Sequence, residues 1–420
     1  MNFEVYMDKK TSLYTEIGGG VCAAEGFKAY GIHAGMRKNA AKLDLAMIVA
    51  DEVCNAAGVY TKNKVFAAPV GVTRAHLADG KAQAVICNSG NANACTPDGY
   101  ETAGATCKAV AEALNIEEND VIVASTGVIG VSLNTEPIMK GIPVLLEQLS
   151  DTADGSDKAA LAIMTTDTKK KEFAFSFNCG GKNVKIGGIC KGSGMIHPNM
   201  GTMLCFITTD CAVESDVLNT ALHAAIEDTF NMVTVDGDTS TNDMVTVLAS
   251  GKAGNAKITK AEGAAYEAFA GALKLLCYKL ATAIAADGEG ATKLLICNVT
   301  GARNTEDARV LAKSVIASSL VKAAMFGADA NWGRVICALG YSGVDFDTSK
   351  VDISFASDMG MLPVCKNGGS YEFSEDFAKM VLSQNKIEIN CEMNDGTASA
   401  QAYGCDLSYE YVRINGDYRS

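Results

Sequence analysis

The chain has 420 residues, of which 48% are hydrophobic and 20% charged, so it can bury a large core and does not have the composition of a disordered protein. Its formal net charge of −13 disfavours nucleic acid and anionic membranes as partners, because both bind clustered Lys and Arg. The fifteen cysteines include no CxxC pair and the four histidines have no metal-pair spacing, which argues against a disulfide framework and a metal site. We therefore expect two lobes or two interleaved layer systems and a small-molecule substrate.

No apolar run approaches the length of about 18 residues that a membrane helix needs, and the N-terminus has no secretory signal pattern. The expected location is the cytoplasm.

Ala-rich helical periodicity predicts helices near 101–114, 136–149, 215–230, 261–285, 306–323 and 375–384. Short apolar or β-branched runs predict strands at 84–88, 121–125, 203–208, 244–249, 293–299, 334–339, 351–355 and 386–391. This mixture favours an α/β fold of layered sheets sandwiched by helices.

Two polar clusters follow predicted strands in the first half of the chain. NSGNANACT at 88–96 offers hydrogen bonds at a strand end, although an ordinary asparagine-rich turn explains it equally. In ASTGVIG at 124–130, Thr126 and Gly127 place a hydroxyl beside an unobstructed backbone N–H. An oxyanion hole requires such donors, whereas the alternative is a tight turn.

Thr202 is the candidate nucleophile, because it stands between a glycine-rich approach and the predicted strand at 203–208. Its hydroxyl could attack the unshielded Gly201 carbonyl, shift the acyl group from nitrogen to oxygen and let water open the ester. The new N-terminal Thr202 would then supply nucleophile and base, since its α-amine has an ordinary pKa of about 7.7 to 8.0. The alternative is a threonine that simply begins a strand after a glycine turn.

Two further loops carry acidic residues. VDGDTSTNDMV at 235–245 carries Asp236, Asp238 and Asp243. Thr241 and Val247 stand where a calcium loop starting at Asp236 needs glycine and glutamate, so capping and turn hydrogen bonds are the expected use of its Asp, Ser, Thr and Asn residues. ADGEGATK at 286–293 fits neither the Walker nor the dinucleotide spacing. Glu289, between two glycines, could present its carboxylate to a cationic substrate group, or it could be a solvated loop acid.

These segments together resemble the ornithine acetyltransferases, or bifunctional glutamate N-acetyltransferases, of arginine biosynthesis. The similarity covers nearly the whole chain, through EGFKAYGIHAG, AAGVYTKN, NSGNANAC, ASTGVIG, AIMTTDT, KGSGMIHPNMGTMLCFITTD, VDGDTSTNDM, DGEGATK, FGADANWGRV, GYSG and YGCDLSYEYVRINGDYRS. The resemblance implies a layered αββα-type sandwich with a self-cleaving threonine nucleophile. It implies transfer of the acetyl group of N-acetylornithine to glutamate through an acetyl-Thr202 intermediate.

The resemblance also implies cleavage between Gly201 and Thr202 into an α chain, 1–201, and a β chain, 202–420, commonly assembled as α2β2. It places the oxyanion hole at Thr126 and Gly127. It implies substrate contacts from Thr165 (with Thr166 as the fallback), Lys191, Thr202, Glu289, Asn415 and Ser420. No cofactor or metal is implied, and acetyl-CoA is a further candidate acetyl donor. Two residues depart from the family pattern: Gly201 stands where alanine is usual, and the terminal Ser420 where threonine is common.

Two other functions fit the same residues. A self-processed N-terminal-threonine amidase or aminopeptidase would resolve the acyl-threonine with water instead of glutamate. A non-enzymatic binding protein for small amino acids would use Thr202 only structurally.

Overall fold

The computed structural model describes residues 13–197 and 203–417, so Gly201, Thr202 and Ser420 lie outside the described residues. The helices are α1 (Ala68–His76), α2 (Gly99–Leu114), α3 (Glu136–Gln148), α4 (Ala153–Ile163), α5 (Ser215–Glu227), α6 (Ala264–Ala286), α7 (Thr305–Ala317), α8 (Ser319–Phe326), α9 (Trp332–Gly340), α10 (Glu375–Leu382) and α11 (Tyr409–Asp417). The strands are β1 (Tyr14–Ile17), β2 (Phe27–Ile32), β3 (Leu45–Tyr60), β4 (Lys81–Asn91), β5 (Val121–Val128), β6 (Lys171–Cys179), β7 (Lys182–Lys191), β8 (Leu204–Thr209), β9 (Val233–Thr234), β10 (Met244–Ala249), β11 (Leu294–Ala302), β12 (Asp352–Ser357), β13 (Gly360–Lys366), β14 (Gly369–Ser370), β15 (Lys386–Glu392) and β16 (Ala398–Cys405).

The strands of the described residues form two sheets. The first has the order β1-β6-β7-β8-β10-β3-β4-β5, with β2 paired to β3, and the second has the order β14-β13-β12-β15-β11-β16-β9. Most neighbours are antiparallel, but β10 runs parallel to β8 and β4 to β5 in the first sheet, and β11 runs parallel to β15 and β16 to β9 in the second. Parallel neighbours bring like ends of strands together, so the ends of β4 and β5 lie side by side at Gly90 and Gly127, while β8 and β10 begin side by side at Leu204 and Met244.

Helices pack on both sheets, which confirms the predicted mixed α/β fold of layered sheets and helices. α4 packs against β2, β3 and β7 of the first sheet, while α7 packs against β11 and β16 of the second. α6 contacts β6 and β7 as well as β11 and β16, so it joins the two sheets. By length and composition α6 could also span a membrane, yet 61% of its apolar window is buried inside the fold.

The predicted strand at 334–339 is wrong, because this segment lies in α9. Its apolar run is too short for periodicity to separate helix from strand, and the helix start is set by Asn331, whose side chain accepts a hydrogen bond from the Arg334 N–H. The helix predicted at 306–323 is two helices, because Ser318 ends α7 and caps α8 by accepting from the Val321 N–H.

Other elements were not predicted from the sequence. They include α1, α4 and α11, and the strands β1, β2, β3, β6, β7, β13 and β16.

All fifteen cysteines are free thiols, and all but Cys95 and Cys337 are buried. They act mainly as small apolar core residues.

Candidate active site

Two neighbouring strand ends present the predicted oxyanion pair. Ser89 and Gly90 of β4 lie opposite Thr126 and Gly127 of β5. The Thr126 side chain is buried, and Gly127 has a positive φ of 136°, which favours glycine. A Cβ on Gly127 would lie 2.3 Å from the Gly90 carbonyl carbon. Only glycine therefore fits at 127 without displacing β4.

Asn242, in the loop before β10, is hydrogen-bonded to the ends of both strands. Its Nδ2 donates to the carbonyl oxygens of Ala92, at 2.6 Å, and Ser125, at 2.8 Å. The Ser125 hydroxyl in turn donates to Asn88 Oδ1 at 2.6 Å. The polar cluster at 88–96 is therefore tied directly to the backbone that precedes Thr126.

Lys191 is the last residue of β7 and lies beside β8, the strand that follows the predicted cleavage point. It is 8% exposed and pairs opposite Leu204. Next to it, the Asp167 carboxylate accepts from the Gly192 N–H at 2.7 Å and from the Thr165 N–H at 3.0 Å. One carboxylate therefore binds the backbone of Thr165 and of Gly192, which keeps Thr165 close to the end of β7 where Lys191 lies.

A buried cluster of charges supports these residues. Lys171 Nζ lies 2.7 Å from Asp167 Oδ1 and 2.6 Å from Asp287 Oδ2, and none of the three side chains is more than 4% exposed. Burial would raise the pKa of Asp167, but the charges of Lys191 and Lys171 hold it well below its usual range. Burial also opposes the charge of Lys171, yet Asp167 and Asp287 raise its pKa above the ordinary value. Asp167 and Lys171 are thus an ionised pair, and the cluster links the loops at 165–168 and 287–290.

Glu289 and Asn415 are in direct contact. The Asn415 Nδ2 donates to Glu289 Oε2 at 2.8 Å, which places α11 against the loop that follows α6. Glu289 is 9% exposed, so it is not a solvated loop acid. Its backbone N–H donates to the Ser193 carbonyl at 2.9 Å, and a Cβ on Gly194 would lie 2.4 Å from Glu289 Oε2. Glycine at 194 therefore leaves the space that the Glu289 carboxylate occupies.

Asp236 holds the backbone that leads to the predicted cleavage point. Its two carboxylate oxygens accept from the N–H groups of Met195, at 2.6 Å, and Ile196, at 2.9 Å. Its side chain also bonds to Tyr411 of α11, whose pKa is raised by burial and by the nearby Asp236 charge. Hydrogen bonding is the use expected of this acidic segment. Within the described ranges, no group of three or more His, Cys, Asp or Glu residues is placed to hold a metal ion.

His197 is the last described residue before the predicted cleavage point. One ring nitrogen, Nδ1, lies 3.0 Å from the Thr234 hydroxyl. Burial and the neighbouring Lys313 charge lower the pKa of His197 to about 4, so its ring is neutral near pH 7. Burial also lowers the pKa of Lys313 to about 8.

The predicted site residues fall into two groups in the described part of the chain. Thr126 and Gly127 form one, at the ends of β4 and β5, and Thr165, Lys191, Glu289 and Asn415 form the other. No hydrogen bond between described residues joins the groups directly. Residues 242 and 243 connect them, because Asn242 binds the Ser125 carbonyl while the Lys191 charge acts on Asp243.

Sequence reasoning missed the residues that support the site. They are Asp167, Lys171, Asp287 and Asn242. Lys171 contacts Asp287 across 116 positions and Asn242 contacts Ser125 across 117, whereas the Gly192 partner of Asp167 is 25 positions away. The segment TTDTKKK at 165–171 contains an acid and three lysines, and this mixture of charges was the available signal for a charged cluster.

Comparison with known proteins decides the family. The sequence profile of the ArgJ family matches residues 28–420. The chain belongs to the ArgJ family. A relative from Caldanaerobacter subterraneus subsp. tengcongensis is 49% identical over 398 residues, covering 94% of this chain and 97% of the relative. A relative from Symbiobacterium thermophilum is 50% identical over 406 residues, covering 96% of this chain and 99% of the relative. Both are named arginine biosynthesis bifunctional protein ArgJ.

Two solved structures were also matched. The crystal structure of arginine biosynthesis bifunctional protein argJ from Bacillus halodurans is 45% identical, with a TM-score of 0.49, and covers 51% of this chain and 98% of that chain. The ornithine acetyltransferase from Mycobacterium tuberculosis, complexed with ornithine, is 36% identical, with a TM-score of 0.41, and covers 44% of this chain and 99% of that chain.

Family membership confirms the predicted family and enzyme class. This ArgJ-family chain is an acetyltransferase of arginine biosynthesis, the glutamate N-acetyltransferase type predicted from the sequence. The alternative of a non-enzymatic binding protein is therefore not supported.

Proposed function

We propose that the chain cleaves itself between Gly201 and Thr202 and then moves the acetyl group of N-acetylornithine to glutamate through an acetyl-Thr202 intermediate. The observation that carries the site assignment is the hydrogen bond between Asn415 and Glu289. Both residues were expected to contact substrate, and they meet although 126 positions separate them in sequence.

The proposed chemistry uses one residue as nucleophile and base. After cleavage, the Thr202 α-amine takes the proton of its own hydroxyl, which attacks the acetyl carbonyl. The Thr126 hydroxyl and the Gly127 N–H stabilise the oxyanion, and the close approach of Gly127 to Gly90 supports their fixed position. Ornithine leaves, glutamate binds in the same pocket, and its amine accepts the acetyl group. One amide replaces another, so the transfer needs no energy source.

The charged residues of the second group suit the substrates. The Lys191 ammonium is placed to bind the α-carboxylate that ornithine and glutamate share. Glu289, which keeps one carboxylate oxygen hydrogen-bonded to Asn415, is placed for the distal ammonium of ornithine. Thr165 and Ser420 complete the proposed contacts, with Thr166 as the alternative to Thr165.

The proposed assembly contains two kinds of chain, both produced by the cleavage. Residues 1–201 form the α chain and residues 202–420 the β chain, which stay together as α2β2 in the cytoplasm. Strand pairing of β7 with β8 across the junction supports their continued association, because this pairing would survive the cut. The reaction uses no metal or cofactor, and acetyl-CoA is a second donor to be tested.

Initial-rate kinetics test this function. Varying N-acetylornithine at several fixed glutamate concentrations should give parallel double-reciprocal lines, because ornithine leaves before glutamate binds. Intersecting lines would exclude the covalent route. Release of free acetate without glutamate, at the rate of transfer, would instead indicate an amidase or aminopeptidase.

A further inference from the structure

The Arg37 side chain contacts both groups of site residues. A Cβ on Gly90, which pairs with Gly127 at the predicted oxyanion hole, would lie 3.2 Å from Arg37 Cγ and 3.8 Å from Arg37 Nε. One guanidinium nitrogen, Nη2, donates to the carbonyl oxygen of Met164, the residue before Thr165. The guanidinium therefore lies between the end of β4 and the loop that carries Thr165.

A buried acid fixes the backbone of Arg37. The Asp44 carboxylate is fully buried and accepts from the N–H groups of Ala34, at 2.6 Å, and Arg37, at 2.9 Å. The Asp44 carbonyl oxygen accepts from the Ser89 N–H at 2.9 Å. The turn that presents Arg37 is thus anchored to the end of β4, and the side chain it carries is half-buried.

The short loop from Met164 to Thr168 has opposite charges at its two ends. Arg37 donates to Met164 at the start, whereas the Thr168 N–H donates to Asp287 Oδ2 at 3.1 Å at the end. Met164 and Thr168 are four Cα steps apart in the chain, so at most about 15 Å separates them. Glu289 follows two residues beyond Asp287. A cationic and an anionic segment therefore flank this loop of the site.

The two proposed substrates differ in charge at the end of their side chains. Ornithine carries an ammonium there, which suits Glu289, but glutamate carries a carboxylate, which the Glu289 charge repels. The proposed Lys191 contact serves the α-carboxylate that both substrates share, and the Lys171 ammonium is already bound by two buried carboxylates. A pocket that binds both substrates in turn needs a further cation for glutamate, and the Arg37 guanidinium has paired N–H groups that match a carboxylate.

We propose that Arg37 binds the side-chain carboxylate of the acceptor glutamate and so makes the second half of the reaction specific for an acidic amino acid. The inference rests on the proposed acetyl transfer and adds a residue that selects the acceptor. Because the chain has a net charge of −13, a cation at this point also offsets the repulsion that an acidic acceptor meets.

The test separates the two half-reactions. In a ping-pong mechanism, kcat/KM for each substrate reports only the half-reaction that this substrate enters. Parent and variants are assayed with N-acetylornithine as donor and with glutamate or glutamine as acceptor, and by exchange of labelled ornithine into N-acetylornithine.

Three variants and a thermal-unfolding check complete the design. Arg37→Gln removes the charge but keeps a side-chain N–H group, Arg37→Lys keeps the charge, and Lys38→Gln changes the exposed neighbour as a matched control. If Arg37→Gln does not fold, Arg37→Met, which keeps an apolar stem over Gly90, is measured in the same way.

We expect Arg37→Gln to lower kcat/KM for glutamate about tenfold or more, because it loses a hydrogen bond between charged groups. Its kcat/KM for N-acetylornithine and its ornithine exchange should change little. The preference for glutamate over glutamine should fall by the same factor in Arg37→Gln and return in Arg37→Lys, while Lys38→Gln should match the parent.

Equal losses for donor and acceptor in Arg37→Gln, or an unchanged preference for glutamate over glutamine, would overturn the inference. A parent that exchanges no ornithine into N-acetylornithine would instead refute the acetyl-enzyme, and with it the proposed function itself.

Discussion

The Asn415 side chain donates to the Glu289 carboxylate at 2.8 Å and so joins the C-terminal helix α11 to the loop that follows α6. The same loop is held by the Ser408 hydroxyl, which donates to the Gly290 carbonyl at 2.5 Å. A Cβ on Gly290 would lie 2.6 Å from the Tyr411 backbone nitrogen. The last turns of the chain therefore pack tightly against the loop that presents Glu289.

Replacing Glu289 by glutamine should impair use of N-acetylornithine. Glutamine still accepts the bond from Asn415 but has no charge for a distal ammonium, and a hydrogen bond to a charged group contributes about 1.5 to 3 kcal/mol. We expect the KM for N-acetylornithine to rise about tenfold or more, and the KM for glutamate to rise less. Steady-state kinetics measure both. Glu410→Gln, which removes the exposed partner of Arg413 on the same helix, is the control and should match the parent.

Replacing Gly127 by alanine should damage the oxyanion hole. The new Cβ would meet the Gly90 carbonyl carbon at 2.3 Å and push the N–H out of position. Loss of one such donor costs about 2.7 to 4 kcal/mol of barrier, so kcat should fall by about 100-fold or more. Gly130→Ala is a matched control, because Gly130 also has a positive φ, 78°, but has no neighbour within 4 Å of its added Cβ. Equal kcat losses in both variants would show that backbone strain alone is responsible.

Replacing Lys171 by methionine should destabilise the fold. It leaves the Asp167 and Asp287 carboxylates buried without their shared ammonium, and breaking a buried pair costs about 3 to 5 kcal/mol. Urea unfolding measures the loss. Lys170→Met, the neighbouring lysine in the exposed pair with Asp157, should cost less than about 1 kcal/mol. A similar small loss for both variants would contradict an ionised cluster.

The pH dependence of stability should reveal His197. Its pKa is lowered from 6.5 to about 4 in the folded chain, so between these pH values the unfolded chain binds a proton that the folded chain does not. Stability conferred by the neutral ring is therefore lost as the pH falls from about 6.5 to about 4. His197→Gln can still bond to Thr234 but does not titrate, so its unfolding midpoint should fall less over that interval. Parallel losses in parent and variant would contradict the burial of a neutral ring.

The sequence predicted the strands that lead to the site, but not the buried residues that hold those strands and loops in place. The strands near 84–88, 121–125, 203–208 and 244–249 were found because apolar runs bounded by Asn, Gly and Asp are strong local signals. The wrong strand at 334–339 shows the limit of that signal, since so short an apolar run also fits a short helix.

The supporting residues depend on contacts that no local pattern contains. Lys171 reaches Asp287 across 116 positions, and Asn242 reaches Ala92 across 150. Asp243 was grouped with turn-forming acids, because burial cannot be read from a segment rich in Asp, Ser and Thr. Strand pairing alone places it beside Met203.

The central claim is that Thr202 becomes an N-terminal residue that carries the acetyl group, and an intact-mass spectrum under denaturing conditions tests it most directly. The parent and Thr202→Ala are each incubated with N-acetylornithine in the absence of glutamate. The account predicts two fragments that meet at Gly201 and Thr202 in the parent, with one acetyl group on the 202–420 fragment that disappears when glutamate is added, and a single unmodified chain in the variant. A folded, active parent that remains one chain, or transfers acetyl without ever carrying it on the 202–420 fragment, would contradict the account.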